Sequence, residues 1–204
     1  MEFKISKELI SQLENLIENN KEQEIYDLFQ EIHFADIAEI MEELNSYEAA
    51  YIFNALDSEQ TAEILKELDE DLREKILKNL TAKEIAEELD ELSTDDAADI
   101  ISELSQEKKE QVISELEDVE HAKDIVDLLR YDEDTAGGLM GKELVKVNEN
   151  WNVLTCVKEM RAQAENVSRV HSIYVVDDQQ RLKGRLSLKD LLTTSTKTPI
   201  SEIY

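Results

Sequence analysis

A leucine returns every twelve residues along much of this chain, at Leu44, Leu56, Leu68, Leu80, Leu92, Leu104, Leu116 and Leu128. Three residues before each stands a second apolar side chain: Met41, Phe53, Leu65, Leu77, Leu89, Ile101, Ile113 or Ile125. Each unit therefore carries an apolar pair at the i, i+3 spacing of a helix face. The residue after the leucine is of helix N-cap type in six units, Asn45, Asp57, Asp69, Thr81, Ser93 and Ser105. Glu48, Gln60, Glu84 or Asp96 follows three positions later in four of them, as a capping box or its Asp variant requires. A long coiled coil fits poorly, because twelve is not a multiple of seven and the caps interrupt the pattern. The spacing predicts one short helix per unit and a sharp corner between units. Such helices are marginal alone and gain stability by stacking. Alanines at Ala50, Ala62, Ala86, Ala98 and Ala122 recur at one register and allow close approach. The expected fold is mainly α, a right- or left-handed superhelix over about Ala35 to Arg130, with an amphipathic leader holding Leu9, Leu13, Leu16 and Ile17.

Charge removes several functions. The 204 residues include 49 acidic and 22 basic side chains, a net charge of −27. Nucleic acid and anionic membrane surfaces both call for a basic footprint that this chain lacks. No apolar run is long enough to span a bilayer, and MEFKISKELI lacks the apolar core of a signal peptide, so a cytosolic protein is expected. The single cysteine, Cys156, cannot form an internal disulfide or a cysteine-based zinc site.

Composition changes at Tyr131. All four glycines, Gly137, Gly138, Gly141 and Gly184, and the only proline, Pro199, lie beyond it. Glu143–Asn148 alternates like a strand and Asn152–Gln163 has helical spacing. His171–Val176 then reads as a strand, Asp177–Gln180 as a turn, Leu182–Ser187 as a strand, and Ser187–Leu192 as a helix capped by Ser187. Two domains are expected: an acidic helical superhelix over 1–130, and a linker with one small α/β module over 131–204.

The stretch IYVVDDQQRLKGRLSLKDLL, Ile173–Leu192, resembles a CBS domain, with its hairpin turn at an Asp followed by Gly-x-x-Ser-x-x-Asp. Together EIHFADIAEIMEEL, the leucine repeat, STDDAADIISEL, YDEDTAGGLM and this segment resemble the cytosolic part of MgtE-type magnesium transporters. Two departures stand out. Phe34 sits where the family usually has Pro, and Gly141-Lys142 where it has Thr-Pro after GGLM. The family also carries a second CBS repeat and a dimeric transmembrane pore. The sequence stops at Ser201–Tyr204, about where that repeat would begin, which fits either a fragment or a short relative lacking the pore.

Most of the acidic residues read as a solvated face. Asp95 and Asp99 differ: four apart on one helix face, they repel by a few tenths of a kcal/mol unless something compensates. Glu63 occupies the register of Asp99 three repeats earlier. The resemblance implies magnesium contacts at Glu63, Asp95 and Asp99. Mg²⁺ suits such residues, since it takes oxygen ligands and keeps several waters. One Cys and three scattered His, His33, His121 and His171, suit zinc or copper poorly. The expected function is cytosolic Mg²⁺ sensing: at low Mg²⁺ the acidic regions repel, and bound Mg²⁺ favours a closed state. Homodimerisation and a membrane pore domain as partner follow from the resemblance, which places the region at the cytosolic face of the cell membrane. It also implies a weaker adenine-nucleotide contact at Asp190, for which a Ser187–Asp190 capping box is the alternative. His33 reads as a partly buried solenoid residue, and Gly137-Gly138 as a turn between domains. Without a nucleophile elbow, phosphate loop or metalloprotease spacing, no enzyme is expected. The competing reading is an acidic helical scaffold for protein partners, similar to the FliG-type flagellar switch protein in its short helices.

Overall fold

The structure is a computed structural model that describes residues 5–132, 134–164, 167 and 172–204. The chain divides into two compact units, Met1–Met140 and Gly141–Tyr204. In the first, the repeat becomes a run of short helices: α1 (Lys7–Glu18), α2 (Glu22–Phe29), α3 (Phe34–Glu42), α4 (Ser46–Ala55), α5 (Ser58–Glu67), α6 (Glu70–Asn79), α7 (Ala82–Asp90), α8 (Thr94–Ser102), α9 (Gln106–Glu115) and α10 (Val119–Leu128). Packing alternates. Helix α3 lies on α5, α5 on α7, and α7 on α9, while α2 lies on α4, α4 on α6, and α8 on α10. The structural repeat is therefore a pair of twelve-residue units.

The two apolar positions of the unit do different work. The earlier one fills the core: Met41, Leu65, Leu89, Ile101 and Ile125 are fully buried. The repeating leucine stands at the corner, from which Leu68, Leu92 and Leu128 also reach the core. Leu56, Leu68, Leu80 and Leu116 are C-cap residues, and Leu44, Leu80 and Leu104 are only half-buried.

Caps form as the residue types require, with one exception. Asn45 and Thr81 make complete capping boxes with Glu48 and Glu84. Asp57, Asp69 and Ser105 each accept a backbone N–H in the first turn of their helix. Ser93 does not; its hydroxyl donates to Asp96 Oδ2 at 2.9 Å. His33 departs from expectation too. It is exposed and caps α3, its Nδ1 accepting from the Ala35 N–H at 3.2 Å. An imidazole nitrogen can take the role of a capping oxygen, which draws the ring out of the core.

Several side chains join turns of the solenoid. Arg73 is the most heavily bonded. Its Nε and Nη2 donate to the two Glu103 oxygens at 3.0 and 2.6 Å, and its Nη1 donates to the Leu65 and Leu68 carbonyls at 3.0 and 3.1 Å. Carboxylates also reach across: Glu42 accepts from the Asp69 N–H and Asp90 from the Glu117 N–H, both at 2.9 Å.

The second unit holds β1 (Val145–Asn148), α11 (Val153–Ala164), β2 (Ile173–Val176), β3 (Leu182–Leu186), α12 (Leu188–Thr193) and a 3₁₀ turn at Ile200–Glu202. The sheet order is β1-β2-β3, with β1 and β2 parallel and β2 and β3 antiparallel. Helix α11 is the crossover that a parallel pair needs. The core comprises Val145, Val147, Val153, Cys156, Ile173, Val175, Leu186, Leu191 and Ile200. His171 lies outside the described residues.

Gly137 and Gly138 lie in a turn, as expected, with no glycine at a positive φ. A Cβ on Gly137 would run into Cδ1 of Tyr131, so this glycine admits the tyrosine ring.

Candidate functional site

The carboxylates singled out in the sequence lie on α5 and α8. Glu63 is half-buried in the middle of α5. Asp95 and Asp96 stand half-buried in the first turn of α8, and Asp99 is exposed one turn on. First-turn placement gives Asp95 and Asp96 a local reason to be there, because the positive end of the helix dipole favours anions. Asp99 lies beyond that turn. It borders a cavity of about 520 Å³ whose lining includes Ser102, Lys109, Glu110, Tyr131 and Asp132.

Helices α5 and α8 are tied by a cation from the chain itself. Lys66 Nζ lies 2.9 Å from Glu63 Oε2, one turn back on α5, and 3.1 Å from Asp96 Oδ2 on α8. Burial works against the ammonium charge, but hydrogen bonds to Glu63 and Asp96 outweigh it and hold the Lys66 pKa above its ordinary value. The second of these contacts was not visible in the sequence, because it joins residues thirty positions apart. Only the Glu63–Lys66 pair, at i, i+3, could have been found there.

The donor chemistry of Glu63, Asp95, Asp96 and Asp99 fits a hard divalent cation, since every side chain offers only carboxylate oxygens. Among the described residues, however, no three Asp, Glu, His or Cys side chains stand close enough together to hold a metal ion. An ion here would keep waters as part of its shell.

Another carboxylate is perturbed nearby. Glu88 of α7 lies 2.5 Å from the hydroxyl of Thr61, which is 1% exposed. Burial pushes the Glu88 carboxyl up to about 7, against the Thr61 hydrogen bond that pulls it down, with Glu87, Glu91 and Asp57 adding to the rise. No sequence pattern pointed to it.

In the second unit Asp190 is exposed on α12. Ser187 caps that helix by accepting from the Lys189 N–H at 3.2 Å. Among the described residues the Asp190 carboxylate returns no bond to Ser187, so the expected capping box is not made. The buried Asp177 carboxylate shapes the hairpin turn, accepting from the Gln179 and Arg181 N–H groups and from Arg181 Nε. No helix among the described residues is long and apolar enough to cross a membrane.

Residues 32–134 match the family model of the MgtE intracellular N domain. The chain belongs to the MgtE family. Residues 136–196 match the CBS domain model. Two curated magnesium transporters named MgtE are similar. That of Thermus thermophilus is 45% identical over 76 residues, which is 37% of this chain and 17% of that protein. That of Enterococcus faecalis is 34% identical over 84 residues, 41% of this chain and 18% of that protein. The match thus takes in less than a fifth of either curated MgtE. Among solved structures, the cytosolic domain of the Mg²⁺ channel MgtE in complex with ATP superposes with a TM-score of 0.83 at 31% identity, covering 95% of this chain and 79% of that one. The soluble part of a magnesium transporter gives a TM-score of 0.74 at 27% identity, covering 97% and 77%. The mainly helical superhelix and the small CBS-type module of this MgtE-family chain are thus shared with solved relatives.

Proposed function

We propose that this MgtE-family chain is the Mg²⁺-sensing regulatory region of a magnesium transporter, lying at the cytosolic face of the membrane. Glu63, Asp95 and Asp99 are its Mg²⁺ contacts. The observation that carries this reading is the meeting of α5 and α8, where carboxylates from both helices gather around one ammonium. The relatives support it, being magnesium transporters and the cytosolic domain of a Mg²⁺ channel. Bound Mg²⁺ would supply two positive charges and an ordered water shell. The protein's part is to hold α5 and α8 in place through buried Leu65, Ile64, Ile100 and Ile101, so that the carboxylates repel one another until a cation is shared. Repulsion between unit charges 4 Å apart is about 1–4 kcal/mol in wet surroundings, enough for a few pairs to shift a two-state equilibrium towards a closed state. A pore domain and a second copy of the chain are the partners proposed with this role. The relatives give no support to an enzymatic one.

The test is thermal unfolding in MgCl₂ against NaCl of equal ionic strength. Screening acts alike in both salts, whereas specific sites stabilise further by mass action. An excess rise in melting temperature in MgCl₂ is expected. Equal rises in the two salts refute the sensing role and favour an acidic scaffold.

Adenine nucleotide is a second proposed ligand, at Asp190, because a solved relative was obtained in complex with ATP. Equilibrium dialysis should show ATP retained by the protein and lost in Asp190→Ala. No retention by the unaltered chain removes this ligand.

A further inference from the structure

The Lys66 ammonium occupies the place between α5 and α8 that a bound cation would need. Its two partners are unequal in origin. Glu63 is a local neighbour on α5, whereas Asp96 comes from the start of α8. Asp96 Oδ2 also accepts from the Ser93 hydroxyl at 2.9 Å, so a single oxygen serves both a hydroxyl and an ammonium. The group is shielded, with the Lys66 side chain 24% exposed and those of Glu63 and Asp96 34% and 37% exposed. In such surroundings an ion pair is screened less than one in open water.

We propose that Lys66 is a tethered counter-ion that competes with Mg²⁺ for Glu63 and Asp96, and so sets the Mg²⁺ concentration at which the region responds. This deepens the Mg²⁺ reading above and depends on it. Glu63 and Asp96 share the one ammonium, with Asp95 and Asp99 on the same helix as Asp96. While Lys66 holds its two oxygens, a divalent cation meets a weaker field and finds two ligands engaged. To bind there, Mg²⁺ displaces the ammonium, which its flexible four-carbon stem allows. The lysine also adds an ion pair between α5 and α8 to the apolar packing that holds them before any metal arrives. A sensor built only of carboxylates would be pushed apart at low Mg²⁺ and would fill at lower concentrations than one carrying its own competitor. Asp96 joins the responsive residues through this contact, although the family resemblance did not single it out.

The experiment uses the full chain with Lys66→Met, Lys66→Gln and Lys66→Arg. Mg²⁺ affinity is measured by isothermal titration at fixed ionic strength, and melting temperature is measured without Mg²⁺. Methionine keeps the length of the stem and glutamine keeps polarity, so a folding defect in one leaves the other as the test. Both neutral variants should bind Mg²⁺ about tenfold more tightly, which corresponds to ~1.4 kcal/mol. Both should melt lower than the unaltered protein in its absence, whereas Lys66→Arg should bind no more tightly. Binding seen only in the neutral variants overturns the proposal, since the unaltered region then has no response for Lys66 to set. Saturable binding by the unaltered protein with the same affinity in Lys66→Met and Lys66→Gln overturns the role of Lys66 and leaves the Mg²⁺ reading standing. Absence of binding in every form overturns both.

Discussion

Replacing Glu88 by Gln should make the helical unit more stable at alkaline pH and leave it unchanged under mildly acidic conditions. Glu88 is half-buried on α7, and its Oε2 lies 2.5 Å from the Thr61 hydroxyl of α5. That hydroxyl is also 2.9 Å from the Asp57 carbonyl. With one hydrogen, Thr61 cannot donate to both. Its donation to Glu88 Oε2 favours the charged carboxylate, but burial of that charge outweighs it. Ionisation buries a negative charge and sets it beside Glu87, Glu91 and Asp57. An acid whose pKa is raised on folding holds its proton more tightly in the native state. Stability therefore falls as pH rises from 4.5, the ordinary value, to about 7, and levels off above. At 1.36 kcal/mol per pH unit the full window would be worth ~3 kcal/mol, and partial exposure reduces this to ~1–2 kcal/mol. Gln is neutral at every pH, and its amide oxygen can accept from the Thr61 hydroxyl as the Glu88 carboxyl does. Urea unfolding followed by far-ultraviolet circular dichroism reports mainly the helical unit, while Trp151, the only tryptophan, reports the second unit by fluorescence. The difference between Glu88→Gln and the unaltered protein should grow from near zero at pH 5 to ~1–2 kcal/mol at pH 8. A difference that does not vary with pH refutes the buried proton.

Arg73→Ala should cost ~2–4 kcal/mol, because it leaves the largely buried Glu103 carboxylate and the carbonyls ending α5 without their donor; urea unfolding measures it. Arg73→Lys should recover only part, since an ammonium cannot reproduce the two-pronged contact. Cys156 is buried and burial pushes its thiol up to about 11, so it should resist a disulfide reagent at pH 8 and react fully in urea. Gly137→Ala should destabilise the helical unit, because the added methyl would run into the Tyr131 ring, and Tyr131→Ala in the same chain should relieve most of that cost in a thermal melt.

Local order was legible in the sequence wherever one unit of the repeat was enough to specify it. Boxes such as Asn45 with Glu48 and Thr81 with Glu84 form within four residues, and their residue types state the bond directly. Ser93 misled for the same reason in reverse: it has the right type and place for a cap, but Asp96, which Lys66 draws on from α5, takes its hydroxyl. The pairing of α3 with α5 or α7 with α9 could not be read, because the twelve-residue period repeats alike in every helix and does not say which neighbour each one meets. Contacts such as Arg73 with Glu103, or Thr61 with Glu88, arise only once that alternation is set. Among 49 acidic residues, no composition rule separates Glu88, which is pressed into the helix stack, from its exposed neighbour Glu87. The candidate Mg²⁺ residues stood out through the Asp95/Asp99 spacing and the shared register of Glu63, and the lysine among them did not.

The most direct measurement is isothermal titration of Mg²⁺ into the protein and into an Asp95→Ala/Asp99→Ala variant, at fixed ionic strength. Sensing through α8 predicts saturable binding by the unaltered chain that disappears in the variant. Heats that are the same in both and scale only with added salt would contradict it.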